Sequence, residues 1–343
     1  MSLTLYVDAA RWRKHQDGLR DRFPGLVPVM KGNGYGFTNP RLAAEAARMC
    51  VDTVAVGTTY EAAVVKDHFD GKVLVLTPYL RGEEAVPLPD RTIRTVSSVQ
   101  AARDLVGCRV VVACMTTMKR DGVTEEELVK LRTGMDDVRL EGFSLHLPLD
   151  HPDGYDPVAE VVGWVERLRA ARLPVRTMYV SHLTAAELAV LRERHPDTEF
   201  RPRIGTDLWL GDHDALASRG TVLDVVRIAR GERFGYRQRK APSDGHLVVV
   251  SGGTAQGVGL EAPKTVRGVM PRAKGVARAG LATVNRSLSP FTWAGKQRWF
   301  AEPPHMQVSL LFLANDVAPP KPGDELEAAL RHTTTHFDRI AIR

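Results

Sequence analysis

From about residue 10 to residue 230, short apolar runs rich in β-branched residues alternate with longer stretches of helical period. The apolar runs predict strands at Leu26–Met30, Thr53–Val56, Val73–Leu76, Ile93–Val96, Arg109–Cys114, Leu140–Leu145, Thr177–Ser181 and Glu199–Ile204. The stretches between them predict helices at Arg41–Met49, Thr59–His68, Ser98–Leu105, Glu125–Thr133, Val158–Arg169 and Thr184–His195. Thr58 or Thr59 is placed to cap the second of these, with Glu61 in its first turn. This alternation predicts an α/β fold, a TIM (β/α)8 barrel; a doubly wound parallel sheet is the other architecture that the period allows.

After Gly235 the helical period stops. Strands are expected at His246–Ser251, Ala279–Thr283, Met306–Leu313 and Ile340–Ile342, with Gly and Pro between them and a turn at Pro319-Pro320-Lys321-Pro322-Gly323-Asp324-Glu325. The expected organisation is a barrel over 10–235 and a C-terminal β domain over 236–343, which the N-terminal strand within 1–9 joins.

Composition narrows the classes. Of 343 residues 43% are apolar and 26% charged, as in a soluble globular protein with an ample core. The formal net charge is +6, but the arginines are scattered, so no nucleic-acid partner is expected. No apolar run reaches membrane-spanning length, and Met1-Ser2-Leu3-Thr4-Leu5 lacks the pattern of a signal peptide. Cys50, Cys108 and Cys114 have no metal-ligand spacing; they suit buried thiols in a reducing cytoplasm, with no metal site.

The chemistry begins at Lys31-Gly32-Asn33-Gly34-Tyr35-Gly36-Phe37, directly after the apolar run Leu26–Met30. An ammonium at a buried strand end is costly to desolvate unless paired or neutralised. A desolvated lysine with a lowered pKa is a good Schiff-base nucleophile toward an aldehyde cofactor, and the glycines let backbone approach one. A loop lysine snorkelling to water is the plain alternative.

That stretch resembles the pyridoxal-phosphate (PLP) lysine motif of the alanine racemase family, Lys-Ala-(Asp/Asn)-Ala-Tyr-Gly-His. The resemblance recurs in order along the chain. Tyr6-Val7-Asp8-Ala9-Ala10 is similar to the family's first strand and helix, and Asp52–Ala63 to its second strand with the "T-x-x-E-A" helix start. In a barrel the site lies at the C-terminal strand ends, with phosphate after strands 7 and 8. There the resemblance implies that Lys31 carries PLP and that Arg203, in Arg203-Ile204-Gly205-Thr206, faces the pyridine nitrogen. Arginine does not give up its proton, so the nitrogen stays unprotonated, which favours racemisation over transamination. Gly205 and Thr206 would offer N–H groups to the phosphate, with hydroxyls from Ser181 and Tyr35. His146 would stack under the ring, and Arg120 would bind the phenolate oxygen and the substrate carboxylate. Singly, each of these reads as surface, cap or core, and His182 beside Ser181 as a packed core histidine. In the second domain Gly231–Tyr236 is similar to the family's "G-E-x-V-x-Y-G", Gly323-Asp324-Glu325 to its turn before a strand, and His305-Met306-Gln307 to its "C-M-D" strand. Met306 would meet the substrate carboxylate through its backbone. A head-to-tail homodimer with a shared site is implied, since the family's β domain completes its partner's barrel.

The chain also departs from the pattern. Thr254, in Gly253-Thr254-Ala255-Gln256-Gly257, stands where the family's second-base tyrosine sits in Gly-Tyr-Ala-Asp-Gly. The lysine that the family carbamylates falls on Ala113, and its Met-Asp pair becomes Met306-Gln307. The tyrosine that orients the second base falls on His332, so His332 or His336 is a candidate replacement base. The expectation is a PLP-dependent amino-acid racemase or epimerase working by Cα proton transfer, and not an efficient ordinary alanine racemase. The alternatives are a non-racemising PLP decarboxylase, lyase or PLP-binding protein on the same scaffold, or a regulatory protein on a dead fold, against which the intact Lys31 argues. Decarboxylases on this barrel usually place a glutamate at the ring nitrogen, where this chain has Arg203.

Overall fold

The computed structural model describes residues 2–135, 137–260 and 287–343. They form two compact units. One comprises Arg13–Gly34 and Thr38–Gly211; the other comprises the described parts of residues 1–12 and 212–343 together with Tyr35–Phe37.

The chain opens with β1 (Leu3–Val7) and α1 (Ala9–Arg22). The first unit then continues β2 (Val27–Pro28), α2 (Asn39–Arg48), β3 (Thr53–Val56), α3 (Thr59–Val65), β4 (Lys72–Pro78), β5 (Thr92–Val96), α4 (Val99–Asp104) and β6 (Arg109–Ala113). It ends with α5 (Leu128–Thr133), β7 (Arg139–Ser144), α6 (Pro157–Ala170), β8 (Thr177–Val180), α7 (Ala185–Arg194), β9 (Glu199–Ile204) and the single turn α8 (Thr206–Leu210). β2 to β9 form one parallel sheet in the order β2-β9-β8-β7-β6-β5-β4-β3, and a bridge from Val29 to Ala55 joins its two ends. This is the expected (β/α)8 barrel. Val27, Val29, Ala55, Leu74, Ile93, Val111 and Tyr179 fill its interior, each from a short β-branched or apolar run.

The helices form where local chemistry starts them and apolar spacing holds them. Asp156 caps α6 by accepting from the Val158 and Ala159 N–H groups, Pro157 starts the helix, and Val161, Trp164, Val165 and Leu168 bury one face. For α3 the cap is Thr58. At the N-terminal end of the barrel the side chain of Arg201 is almost fully buried. It pairs with Asp52, donates to Thr53 Oγ1 at 3.2 Å, and lies 5.8 Å from the Tyr179 ring centroid.

The second unit is an antiparallel β domain of β1 with β10 (Leu216–Ile228), β13 (Gly245–Ser251), β14 (Leu288–Trp293), β15 (Lys296–Phe300), β16 (Val308–Ala314), β17 (Glu325–Ala328) and β18 (Arg339–Ile342). The sheet runs β13-β16-β15-β14-β17-β10-β1-β18, and β13 also pairs with β10. Its core holds Leu3, Val222, Val248, Val250, Val258, Phe291, Leu311, Leu313 and Leu326. A separate hairpin joins β11 (Arg233–Phe234) to β12 (Arg239–Lys240). The long strand β10, which falls inside the 10–235 expected for the barrel, is hydrogen-bonded into this sheet. The strand expected at Ala279–Thr283 lies outside the described residues. Of the three thiols only Cys114 is buried; Cys50 is exposed, because it follows α2 in a left-handed turn (φ 55°) that leads the chain outward.

Candidate active site

Lys31, Arg120, His146, Ser181, Arg203, Gly205 and Thr206 all lie at or just past the C-terminal ends of the barrel strands, because the strands are parallel and share one polarity. Lys31 leaves the barrel where Val29 N–H donates to Ile204 O at 2.8 Å and Met30 N–H to Ala55 O at 2.8 Å, so its strand end is pinned on both sides. The Lys31 side chain reaches solvent, yet its pKa is lowered. Partial burial is the largest cause, and Arg120 and Arg203 add to it while Glu61 opposes. The amine is therefore easier to deprotonate than a surface lysine.

Arg203 donates through Nη2 to Leu145 O at 2.8 Å, while its buried Nε has no hydrogen-bond partner among the described residues. Burial pushes its pKa down to about 10, with Arg120 acting the same way and Tyr179 opposing, so it remains a cation at neutral pH. His146 meets the buried Ser181 hydroxyl through Nδ1 at 2.9 Å, and that oxygen accepts from Leu147 N–H at 3.3 Å. The hydroxyl proton is thereby left for the imidazole. Burial, followed by Arg203, His182, Arg120 and Lys31, pushes the His146 pKa down to about 3, so the ring is neutral across physiological pH.

Arg120 sits on an exposed loop whose base is held at two consecutive threonines. Thr116 Oγ1 donates to His146 O at 2.7 Å, and Thr117 gives its N–H and hydroxyl to Glu160 at 2.7 and 3.0 Å. Tyr155 OH donates to the same Glu160 carboxylate at 2.5 Å. This bracing from α6 stands on a barrel whose position 113 is an alanine. His182 is not the core residue expected. It is exposed, at a left-handed φ of 58° that carries the backbone away from β8, and its ring lies edge-on to His146 at 5.3 Å.

In the β unit the structure brings the other expected residues together by backbone contacts. Thr254 N–H donates to His305 O at 2.8 Å and Ala255 N–H to Met306 O at 3.0 Å. The buried Gln256 amide donates to Gln307 at 2.8 Å and to Asp338 at 3.1 Å, and His336 N–H donates to Gln256 O at 3.2 Å. Thr254 and Met306 are exposed. His332 is half-buried; Ser218 Oγ lies 3.0 Å from its Nε2, and burial lowers its pKa to about 4. Tyr35 is buried at φ 54° in the segment whose Gly36 packs against His332 and Phe337. Sequence reasoning passed over the Glu302–His305 pair, 2.6 Å apart with the carboxylate buried, and the part played by Glu61.

A parallel eight-stranded barrel with a lysine leaving its first strand, followed by an antiparallel β domain, defines the class of fold. The chain matches the family described as alanine racemase, N-terminal domain, over residues 7–209, and it belongs to that family. Among solved structures it is similar to alanine racemase from Bartonella henselae with covalently bound pyridoxal phosphate. That likeness covers 97% of this chain and 91% of the other, at 16% identity and TM-score 0.70. The Bacillus anthracis alanine racemase with bound L-Ala-P matches over 95% of this chain and 84% of its own, at 16% identity and TM-score 0.69. Alanine racemase from D-cycloserine producing Streptomyces lavendulae matches over 96% and 87%, at 19% identity and TM-score 0.63. These likenesses are of fold. Comparison with curated protein sequences finds no match.

Proposed function

We propose that this chain is a PLP-dependent enzyme that moves the Cα proton of a small amino acid, as a homodimer with a shared site, and that it racemises alanine poorly. The observation that carries the reading is the charge set at the barrel mouth. Arg120 and Arg203 act on the Lys31 amine there, Arg120 acts on Arg203, and Arg203 keeps a buried Nε–H without a partner among the described residues. Such a set fits a dianionic phosphate ester with a ring acceptor; a buried orphan donor is costly unless a ligand accepts from it.

Lys31 would hold the cofactor and serve as the base on one face of Cα, helped by its lowered pKa. When bound, PLP supplies the electron withdrawal that acidifies the Cα proton. Arg203 would direct its N–H at the ring nitrogen and, as a cation at neutral pH, keep that nitrogen unprotonated. His146, neutral and tied to Ser181, would pack beneath the ring. Arg120 would bind the substrate carboxylate together with the Met306 backbone from the β domain of a second subunit. Gly205 and Thr206 would hold the phosphate through their backbone N–H groups. On the opposite face Thr254 is a poor proton carrier, and His332, with its lowered pKa and Ser218 at its Nε2, is a weak base.

Thr254 favours a second reading as well, a one-base enzyme that exchanges or removes a group without inversion. Incubation with a panel of L-amino acids in deuterium oxide, followed by chiral and mass analysis, separates the two. Deuterium at Cα with inversion supports a racemase, and deuterium with retention or loss of carbon dioxide supports the second reading. The absence of both Cα exchange and loss of carbon dioxide, with every amino acid offered to PLP-loaded protein, refutes both readings.

A further inference from the structure

The ends of β2 and β3 are neighbours in the barrel, and one carboxylate joins them. Glu61 Oε1 accepts from the Gly32 N–H at 2.9 Å, and Oε2 accepts from the Gly57 N–H at 2.6 Å. Glu61 stands in the first turn of α3, where Thr58 Oγ1 already accepts from its backbone N–H at 3.3 Å. The helix is capped by the threonine, and the Glu61 side chain turns to the strand ends instead. A Cβ on Gly57 would stand 2.9 Å from Glu61 Oε2 and 3.3 Å from Lys31 Cβ, so carboxylate, strand end and lysine pack in contact and only glycine leaves room.

The charged and titratable groups that act on Lys31 come from every neighbouring element. Arg120 reaches it from the loop after β6 and Arg203 from β9, while Lys31 itself acts on His146 and His182 at the ends of β7 and β8. Both histidines have lowered pKa values and are neutral at pH 7. Glu61 is the one anion in this set.

We propose that Glu61 is the positioning residue of Lys31: its two oxygens lock the turn that carries Lys31 out of β2, and its charge offsets the two arginines at the amine. The assignment rests on Lys31 being the reactive amine of the preceding section. The same carboxylate keeps Lys31 protonated to higher pH than the arginines alone would allow, and so sets the pH at which the amine becomes a nucleophile.

The test uses the full chain freed of any cofactor. Lys31 is labelled with a small acylating reagent across a pH series and read by peptide mass, and PLP uptake is followed separately by visible absorbance. Glu61→Gln should move the Lys31 labelling midpoint to lower pH by about one unit and cut PLP uptake severalfold. Glu61→Asp keeps the charge but is a methylene too short to hold both N–H groups; its midpoint should stay while uptake falls. A wild-type midpoint in Glu61→Gln overturns the charge role, and wild-type uptake in Glu61→Asp overturns the clamp. If Glu61→Gln loses its circular dichroism, Glu61→Asp decides the clamp and Glu61→Ala, labelled across the same pH series, decides the charge role. A wild-type protein that takes up no PLP, but whose Lys31 midpoint still moves in Glu61→Gln, defeats the functional reading and leaves the Glu61 assignment standing.

Discussion

A threonine hydroxyl is shorter and far less acidic than a phenol, so Thr254 cannot take over a tyrosine's proton traffic. A positioned acid–base group is worth ~10²–10⁴-fold in rate. Inversion of alanine by PLP-loaded protein should therefore fall short of exchange at Cα by about that factor. Chiral analysis alongside deuterium uptake reads both rates, and rapid inversion at the exchange rate would contradict the role given to Thr254. His332 supplies a second test at this scale. Its pKa falls from 6.5 to about 4 on folding, so between those values the unfolded chain binds more protons and stability must drop as pH falls. The loss has an upper limit of ~3 kcal/mol, reduced by the solvent reaching a half-buried ring. His332→Gln should flatten denaturant midpoints between pH 6.5 and 4, and an unchanged slope would contradict it. The placement of Lys31, Arg203 and His146 at strand ends was legible in the sequence because each stands at the end of a short run that reads as a strand. Glu61 was legible only as a first-turn acid, since its bridge spans two strands that are neighbours only in the folded barrel. His182 was misread because no local pattern announces the left-handed turn that exposes it.

Barrel strands were the most legible elements: Thr53–Val56 and Glu199–Ile204 stand in the structure with the bounds expected, because each is a continuous run read against flanking turns. The hairpin of β14 and β15 was missed for a physical reason. Its two-residue turn is Ala294-Gly295, at φ 49° and 71°, and an alanine in a left-handed conformation is not the asparagine or aspartate that signals such a turn. Strand β10 was missed because its in–out alternation, regular from Ala217 to Val222, is broken by a register shift between Val222 and Asp224, and because a glycine, Gly220, stands at one of its buried positions. That glycine is a packing requirement. A Cβ there would stand 2.7 Å from both the Phe291 ring and Ser251 O, on a strand paired on both sides. Gly220→Ala should cost ~1–3 kcal/mol by overpacking. Thermal or chemical denaturation measures it, and a variant as stable as the parent would contradict the packing described.

At the scale of the molecule, the backbone contacts that gather Thr254, Met306 and the His332–His336 segment into one surface of the β unit give the shared-site reading its physical basis. A surface assembled this way acts on substrate only if something presents the substrate to it, and the proposal is that a second subunit's barrel does so. Sedimentation velocity should find a dimer, and a monomer with full activity at micromolar concentration would contradict the shared site. The barrel-plus-β architecture was legible from the change in hydrophobic period, whereas the origin of β10 was not, because a single strand carries no mark of the sheet it will join. The central claim is that Lys31 is the covalent anchor of pyridoxal phosphate. Its most direct test is peptide mass mapping after incubation with PLP and borohydride reduction. Incubated protein should show visible absorbance before reduction and one cofactor mass on Lys31 afterwards, absent in Lys31→Ala; in a protein that stays colourless and carries no added mass at Lys31, the cofactor is not anchored there.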